Sequence, residues 1–242
     1  MEQKSLFIRT LEKMESRLQR LNVQLAGVRW FYESGSRDVA YKHALELEDN
    51  MERAVLLARE LPSCTGHPRA RADVDAVMEK AIPVEIGFTE EGWFVLRFPA
   101  LLPKKEKGSK DYVRGFLYPA MGRFFGGKQP VRYPSCVLIY RHVYNRERPE
   151  RAKRDHDNYE INMATDIVAA YVLPDDGPEV CNHYYCTAEG SKERTEVYVV
   201  PREDFANWLQ SEKAIPEKGV TLYETRRKQS EENMQKRFQN EP

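Results

Sequence analysis

The sequence predicts an α+β fold, a mixed sheet with packed helices, preceded by an N-terminal helical hairpin. Two observations predict it. Apolar residues in the first sixty positions recur at alternating steps of four and three, the spacing of packed helices. From about residue 82 the pattern changes to short runs that alternate apolar and polar residues, which indicate strands. Two longer apolar stripes between these runs have the helical period.

Two heptad stripes predict the hairpin, and a turn at Glu33–Ser36 separates them. The first stripe is built of large residues and the second mostly of small ones, so the two can pack closely. We interpret this hairpin as a structural or oligomerising element. The first stripe comprises Phe7, Leu11, Met14, Leu18, Leu21, Leu25 and Val28, and the second comprises Ala40, Ala44, Leu47, Met51, Ala54, Ala58 and Leu61.

The chain is expected to divide into four segments. They are the hairpin (1–62), a linker (63–81) with a short helix over Ala72–Lys80, the α+β domain (82–210) and a charged tail (211–242). The tail is poor in apolar residues, which predicts disorder or a loose helix. The predicted elements of the domain are a hairpin (Val84–Thr89 and Trp93–Phe98), a helix (Ser109–Phe125, capped by Ser109), a strand (Ser135–Tyr144), a helix (Tyr159–Tyr171), a second hairpin (Val180–Thr187 and Thr195–Val200) and a short helix (Pro201–Leu209).

The net charge of zero hides an uneven distribution. Residues 103–154 carry fourteen Lys and Arg against four acids, whereas residues 155–190 carry eight acids and no Lys or Arg. A basic surface that leads into an acidic cluster suits a metal-dependent nuclease, because cations hold the polyanionic backbone and acids hold the metal. The N-terminus lacks a signal-peptide pattern and the four cysteines are scattered, so we expect a cytoplasmic protein with reduced thiols.

Two short acidic boxes are the most informative motif. Arg154–Asn158 contains Asp155 and Asp157, and Pro174–Gly177 contains Asp175 and Asp176. Carboxylates brought together in this way repel each other unless a cation lies between them, and Mg²⁺ is the usual one. Such a Mg²⁺ ion most often contacts a phosphate. The alternative is that the first box caps the following helix and the second is an ordinary turn.

The element order and both boxes together resemble the RusA-type Holliday junction resolvases, over roughly residues 84–200. In that family an Asp-x-Asp-Asn box opens a helix, and an Asp-Asp pair follows after about eighteen residues. The resemblance implies a homodimeric, Mg²⁺-dependent endonuclease that cuts branched DNA in recombination or repair, including on phages and mobile elements. It implies metal ligation and catalysis by Asp155, Asp157 and Asp176, with Asp175 as the first member of the pair; Mn²⁺ could replace Mg²⁺. Asn158 is expected to cap the helix.

One position departs from the family. A catalytic lysine is expected four residues after the second Asp of the box, where this chain has Ile161, or Asn162 if one residue is inserted. Neither side chain can supply a cation, although Lys153, Arg154 or the loop lysines Lys104 and Lys105 could do so in space. The alternative function is therefore a non-catalytic DNA-binding or interaction protein that keeps the fold.

Three other features have both a functional and a packing interpretation. Cys181 and Cys186 would point to opposite faces of a strand, which favours packing over a zinc site. His156 lies between the box aspartates and could act on a leaving oxygen, but strand-like alternation would aim it away from them. Five aromatic residues could stack on unpaired bases, although the pattern favours a place in the core: Phe124, Phe125, Tyr133, Tyr140 and Tyr144.

Overall fold

A computed structural model describes residues 5–105, 108–128, 131–147 and 153–226, and over these ranges it confirms the α+β class. The chain divides into two compact units, with the boundary between Val77 and Met78. Among the described residues, no helix is long and apolar enough to cross a membrane. The helices are α1 (Leu6–Glu33), α2 (Arg37–Cys64), α3 (Ala70–Ala81), α4 (Ser109–Phe125), α5 (Asn162–Val172) and α6 (Phe205–Ser211). The strands are β1 (Glu85–Phe88), β2 (Phe94–Phe98), β3 (Cys136–Asn145), β4 (Cys181–Gly190) and β5 (Arg194–Pro201).

The predicted N-terminal hairpin is present as α1 and α2, but part of the predicted seam was wrong. Leu18 and Leu25 are 46% and 52% exposed, and Gln24 instead lies between the helices. There Asn50 Nδ2 donates to Gln24 Oε1 at 3.2 Å, so the polar pair is satisfied within the seam. On α2, Ala54 is buried as predicted, whereas three other predicted seam residues are exposed: Ala44, Met51 and Ala58.

The five strands form one mixed sheet in the order β1-β2-β5-β3-β4. The β1–β2 hairpin is confirmed, but the predicted second hairpin is wrong because β4 and β5 do not pair with each other. Instead β3 lies between them, antiparallel to β5 and parallel to β4. Nine of the ten β3 residues are buried. A strand apolar on both faces is best buried at the centre of a sheet, which explains why both neighbours pair with it.

Each face of the sheet has its own apolar layer. On one face, Phe94 of β2 contacts Phe124 and Phe125 of α4, and Tyr140 of β3 bonds to Thr165 of α5. Trp208 of α6 lies in the core of the opposite face, where it contacts Tyr198 and Tyr184.

The segment after α6 is ordered up to Arg226, contrary to the predicted disorder from Ser211; residues 227–242 lie outside the described ranges. Ile215, Val220 and Leu222 pack on the Trp208 core. Tyr223 then pairs with Phe88 through two backbone hydrogen bonds of 2.8 Å, which extends the β1 edge. Three scattered apolar residues were too weak a pattern to predict this docking.

Candidate functional site

The first acidic box folds as a single 3₁₀ turn rather than as the start of a helix. Asn158 N donates to Asp155 O at 3.1 Å, and both Asp155 and Asp157 are exposed. Helix α5 begins only at Asn162, so the prediction that Asn158 caps it was wrong. The N-cap position is Ile161, and the carboxylate of the preceding Glu160 accepts a hydrogen bond from Met163 N at 3.3 Å.

A lysine-bearing loop pairs directly with this box. Lys105 N donates to Asn158 O at 2.8 Å, and Glu160 N donates to Pro103 O at 2.9 Å. The isolated bridge between Lys104 and Tyr159 holds the backbone of residue 159 extended, which explains why the helix starts later than predicted. Both Lys104 and Lys105 are exposed. The loop therefore brings the backbone of two exposed lysines next to the residues that directly follow the two aspartates of the box.

The hydroxyl of Ser109 anchors the same loop. Ser109 is the first residue of α4 rather than its N-cap, which is Gly108 with φ 94°. Its Oγ donates to Lys104 O at 2.5 Å. The predicted cap thus fixes the lysine loop instead of the helix start.

The other cations considered in place of the family lysine are engaged elsewhere. Lys153 Nζ lies 2.6 Å from Glu189 Oε1. Arg154 Nη1 donates to Leu102 O at 3.1 Å. Ile161 is half-buried, and its carbonyl accepts from Tyr140 Oη at 3.3 Å. Lys104 and Lys105 are the exposed cations on the loop that pairs with the box.

A row of stacked rings runs along the outer part of the sheet. His183 and Tyr185 project from the same face of β4, with ring centroids 6.2 Å apart. His156 stacks on Tyr185 at 5.9 Å, and its Nε2 lies 3.5 Å from Thr187 Oγ1. We call His156, Tyr185 and His183 the ring row; His183 is exposed and the other two are half-buried. The sheet holds His156 and leaves its neighbouring aspartates in solvent.

The ring row was not predicted as a binding surface. The alternation of His183 and Tyr185 along a strand was visible, but their exposure depends on β4 being the edge strand. Among the aromatic residues considered instead, Tyr133, Tyr140 and Tyr144 are at most 1% exposed and belong to the core.

The second acidic box forms the turn between α5 and β4. Asp175 Oδ1 accepts a hydrogen bond from Asp176 N at 2.9 Å, and both aspartates are exposed. Burial lowers the pKa of His183, and the nearby Asp176 carboxylate partly opposes that shift. Asp176 therefore lies near His183, close to the start of β4. His156 instead contacts Thr187, which is four residues, or about 13 Å, beyond His183 along the strand.

The ring row thus separates the two acidic boxes. Within the described residues, no three His, Cys, Asp or Glu side chains form a group that could hold a metal ion. Metal ligation by Asp155, Asp157, Asp176 and Asp175 stays a prediction. The first box alone offers two exposed carboxylates. That number fits Mg²⁺, which often takes one or two carboxylates together with waters and a substrate phosphate.

The cysteines have structural positions. Cys181 and Cys186 are both buried, on opposite faces of β4, as the alternation predicted. Cys181 pairs in register with Cys136 of β3, and a hydrogen bond between the two thiols together with burial raises the pKa of Cys136. A protonated, buried thiol is a poor metal ligand, which agrees with a packing role.

Comparison with known proteins gives a family but no activity. No curated protein matches the chain, and no solved structure does. One family of unknown function, DUF6100, matches residues 2–226, which cover nearly all of the first unit, most of the second and every residue of the candidate site. The chain therefore belongs to the DUF6100 family.

Proposed function

We propose that this protein is a Mg²⁺-dependent, structure-specific endonuclease that acts in the cytoplasm on branched DNA of the Holliday-junction kind. The observation that carries the proposal is the backbone pairing of Pro103–Lys105 with Asn158–Glu160. It supports the proposal because the segment that carries two exposed lysines adjoins the segment that carries two exposed aspartates. Lysines attract the phosphate backbone and carboxylates bind the metal, so both halves of a phosphodiester site lie on adjoining segments.

The proposal assigns metal ligation at this site to Asp155 and Asp157 of the first box, with Mn²⁺ as a substitute ion. Asp175 and Asp176 of the second box lie at the other end of the ring row and stay predicted ligands outside this site. A bound Mg²⁺ ion would lower the pKa of a water molecule and neutralise charge on the phosphate. The lysines of the loop would hold the phosphate group, the role for which the family lysine is missing at Ile161 or Asn162.

The ring row favours a branched substrate over a continuous duplex. Bases at a branch point can leave the stack, and aromatic side chains bind such bases through their faces. Tyr185 and His183 are accessible on the edge strand, and His156 connects them to the first box.

The test is cleavage of a synthetic four-way junction by the purified full chain with Mg²⁺ or Mn²⁺. We expect Asp157→Asn to reduce the cleavage rate by at least about 10²-fold, the usual loss when transition-state charge goes unstabilised. Glu203→Gln is the matched control, because Glu203 is an exposed carboxylate outside both boxes. Cleavage that survives Asp157→Asn rules out the proposed site.

A second candidate is a DNA-binding protein without nuclease activity. Two observations favour it: the described residues contain no group of three metal ligands, and the family lysine is missing. The same assay distinguishes the candidates. A binding protein would bind the junction with the same affinity in Mg²⁺ or in a chelator and would leave it uncut.

A further inference from the structure

A cavity lies beside the ends of β3 and β4, apart from the acidic boxes. Its volume is about 410 Å³, within the usual range for small-molecule sites. The segment after α6 forms one wall, and the sheet forms the floor. The cationic residues that line it are Arg141, Arg146, Arg194 and Lys213.

A buried ion cluster organises the floor. Glu196 is fully buried and accepts from Arg141 Nη1 at 2.9 Å, from Arg194 Nε at 2.6 Å and from Tyr198 Oη at 2.9 Å. Burial by itself would raise the pKa of Glu196, but the two arginines and the tyrosine hydroxyl hold it below its ordinary value. One carboxylate thus pairs with two guanidinium groups, so this cluster carries a net positive charge.

One buried hydrogen-bond donor of the floor has no acceptor among the described residues. Arg141 is 7% exposed, and its Nε has no acceptor among the described residues. A buried charged donor without an acceptor is costly, so the site favours an anion or water at that position.

The acids of the lining each have a donor. Glu217 accepts from Ser191 N at 2.6 Å and pairs with Arg146 at 3.3 Å. Glu189 pairs with Lys153, and Glu212 accepts from the thiol of Cys186. Because these carboxylates are already paired, the cavity is better suited to an anion than to a cation.

We propose that this cavity binds a small phosphorylated ligand of nucleoside monophosphate size, with its phosphate on the guanidinium groups of the floor. Arginine presents paired N–H groups that match phosphate oxygens, and Glu196 fixes the orientation of both forks. Lys213, at the exposed mouth, adds a third cation. This inference does not depend on the proposed nuclease activity.

Phosphate could reach the cavity from two sources, a free nucleotide or a nucleic-acid strand. The second source is included because Thr187 both lines the cavity and contacts His156 of the ring row. The experiment therefore includes both kinds of ligand.

The test is isothermal titration calorimetry of the full chain with inorganic phosphate, 5′-dAMP and a 5′-hydroxyl single-stranded oligonucleotide. We expect saturable binding of phosphate and of 5′-dAMP. Arg194→Gln should weaken binding by about tenfold or more, the equivalent of one lost charge-assisted hydrogen bond. Lys213→Ala is a second variant that leaves the buried cluster intact, and it should weaken binding severalfold. Lys218→Ala, an exposed lysine of the same segment outside the lining, should bind like wild type.

Three results would overturn the proposal. One is the absence of saturable heat with both phosphate and 5′-dAMP. Another is equal weakening by Lys213→Ala and Lys218→Ala, which would show that binding responds to the net charge of the protein and not to the cavity. The third is binding of the oligonucleotide alone, which would make the cavity a contact for a strand.

Discussion

His142 is the most constrained ionisable residue beside the first acidic box. It is fully buried, its ring stacks on Tyr159 at 3.9 Å, and neither ring nitrogen has a partner among the described residues. Burial lowers the pKa of His142 to about 3, and the nearby His156 and Arg154 contribute to the shift. The ring therefore stays neutral, and it supports the turn by packing rather than by charge.

This burial makes stability depend on pH in a defined direction. In the unfolded chain His142 binds a proton below about pH 6.5, whereas in the folded state it does so only near pH 3. Stability contributed by the neutral ring is complete above pH 6.5 and is lost as the pH falls towards 3. Between pH 7.5 and 5 the wild type should lose about 2 kcal/mol through this residue.

His142→Phe should remove that part of the loss, because phenylalanine keeps the stacking and binds no proton. Denaturant unfolding at pH 7.5 and pH 5 measures the difference within each variant, so any change in packing cancels. His67→Phe replaces an exposed histidine and should lose as much stability as the wild type. An unchanged pH dependence in His142→Phe would contradict the assignment.

At the scale of elements, the lysine loop depends on the start of α4. The hydrogen bond from Ser109 Oγ to Lys104 O links the helix to the loop. Ser109→Ala should cost about 1 kcal/mol of folding stability, the usual worth of such a bond. It should also weaken junction binding, because the loop lysines lose their fixed position. The loss of folding stability alone would not change the affinity, since nearly all of the protein stays folded.

Fluorescence anisotropy with a labelled junction measures the effect on binding. Ser211→Ala is the matched control, because Ser211 Oγ donates to Trp208 O at 2.9 Å at the end of another helix. Equal junction affinities for the two variants would show that the loop does not contribute to binding.

The elements themselves were largely predictable from the sequence, but their partners were not. The bounds of β1, β2 and α4 follow from local alternation and period, so they were predicted to within one or two residues. Pairing order is not local. The tight turn between β4 and β5 suggested a hairpin, yet β3 lies between them because it is apolar on both faces and so takes the central position.

The same limit applies to the candidate site. Asp155 and Asp157 could be selected as candidates from a motif because they lie within one short segment, whereas the distance from them to Asp176 depends on the tertiary fold. The lysine loop is about fifty residues away in sequence, and the backbone pairing around Lys104 and Tyr159 brings it to the box. Exposure of His183 and Tyr185 likewise follows from the place of β4 at the sheet edge. The sequence pattern carries no information on either fact.

At the scale of the whole molecule, the N-terminal hairpin leaves an apolar stripe uncovered within the described residues. Leu18 and Leu25 lie seven residues apart, hence on one face of α1, and are 46% and 52% exposed. Both fit a heptad that the pairing of α1 with α2 does not use. A second copy of the hairpin could cover them, which agrees with the proposed homodimer.

We therefore predict that the full chain is a dimer in solution and that Leu18→Glu with Leu25→Glu makes it a monomer. Charges at these positions should not unfold the hairpin, because its buried residues, among them Leu21 and Ala54, are untouched. Light scattering after size-exclusion chromatography gives the mass, and circular dichroism checks the helix content. Val23→Glu is the control, since Val23 is 74% exposed and lies away from this stripe. A monomeric wild type would exclude the hairpin as a dimer interface, whereas a dimeric double variant would place the contact elsewhere on the chain.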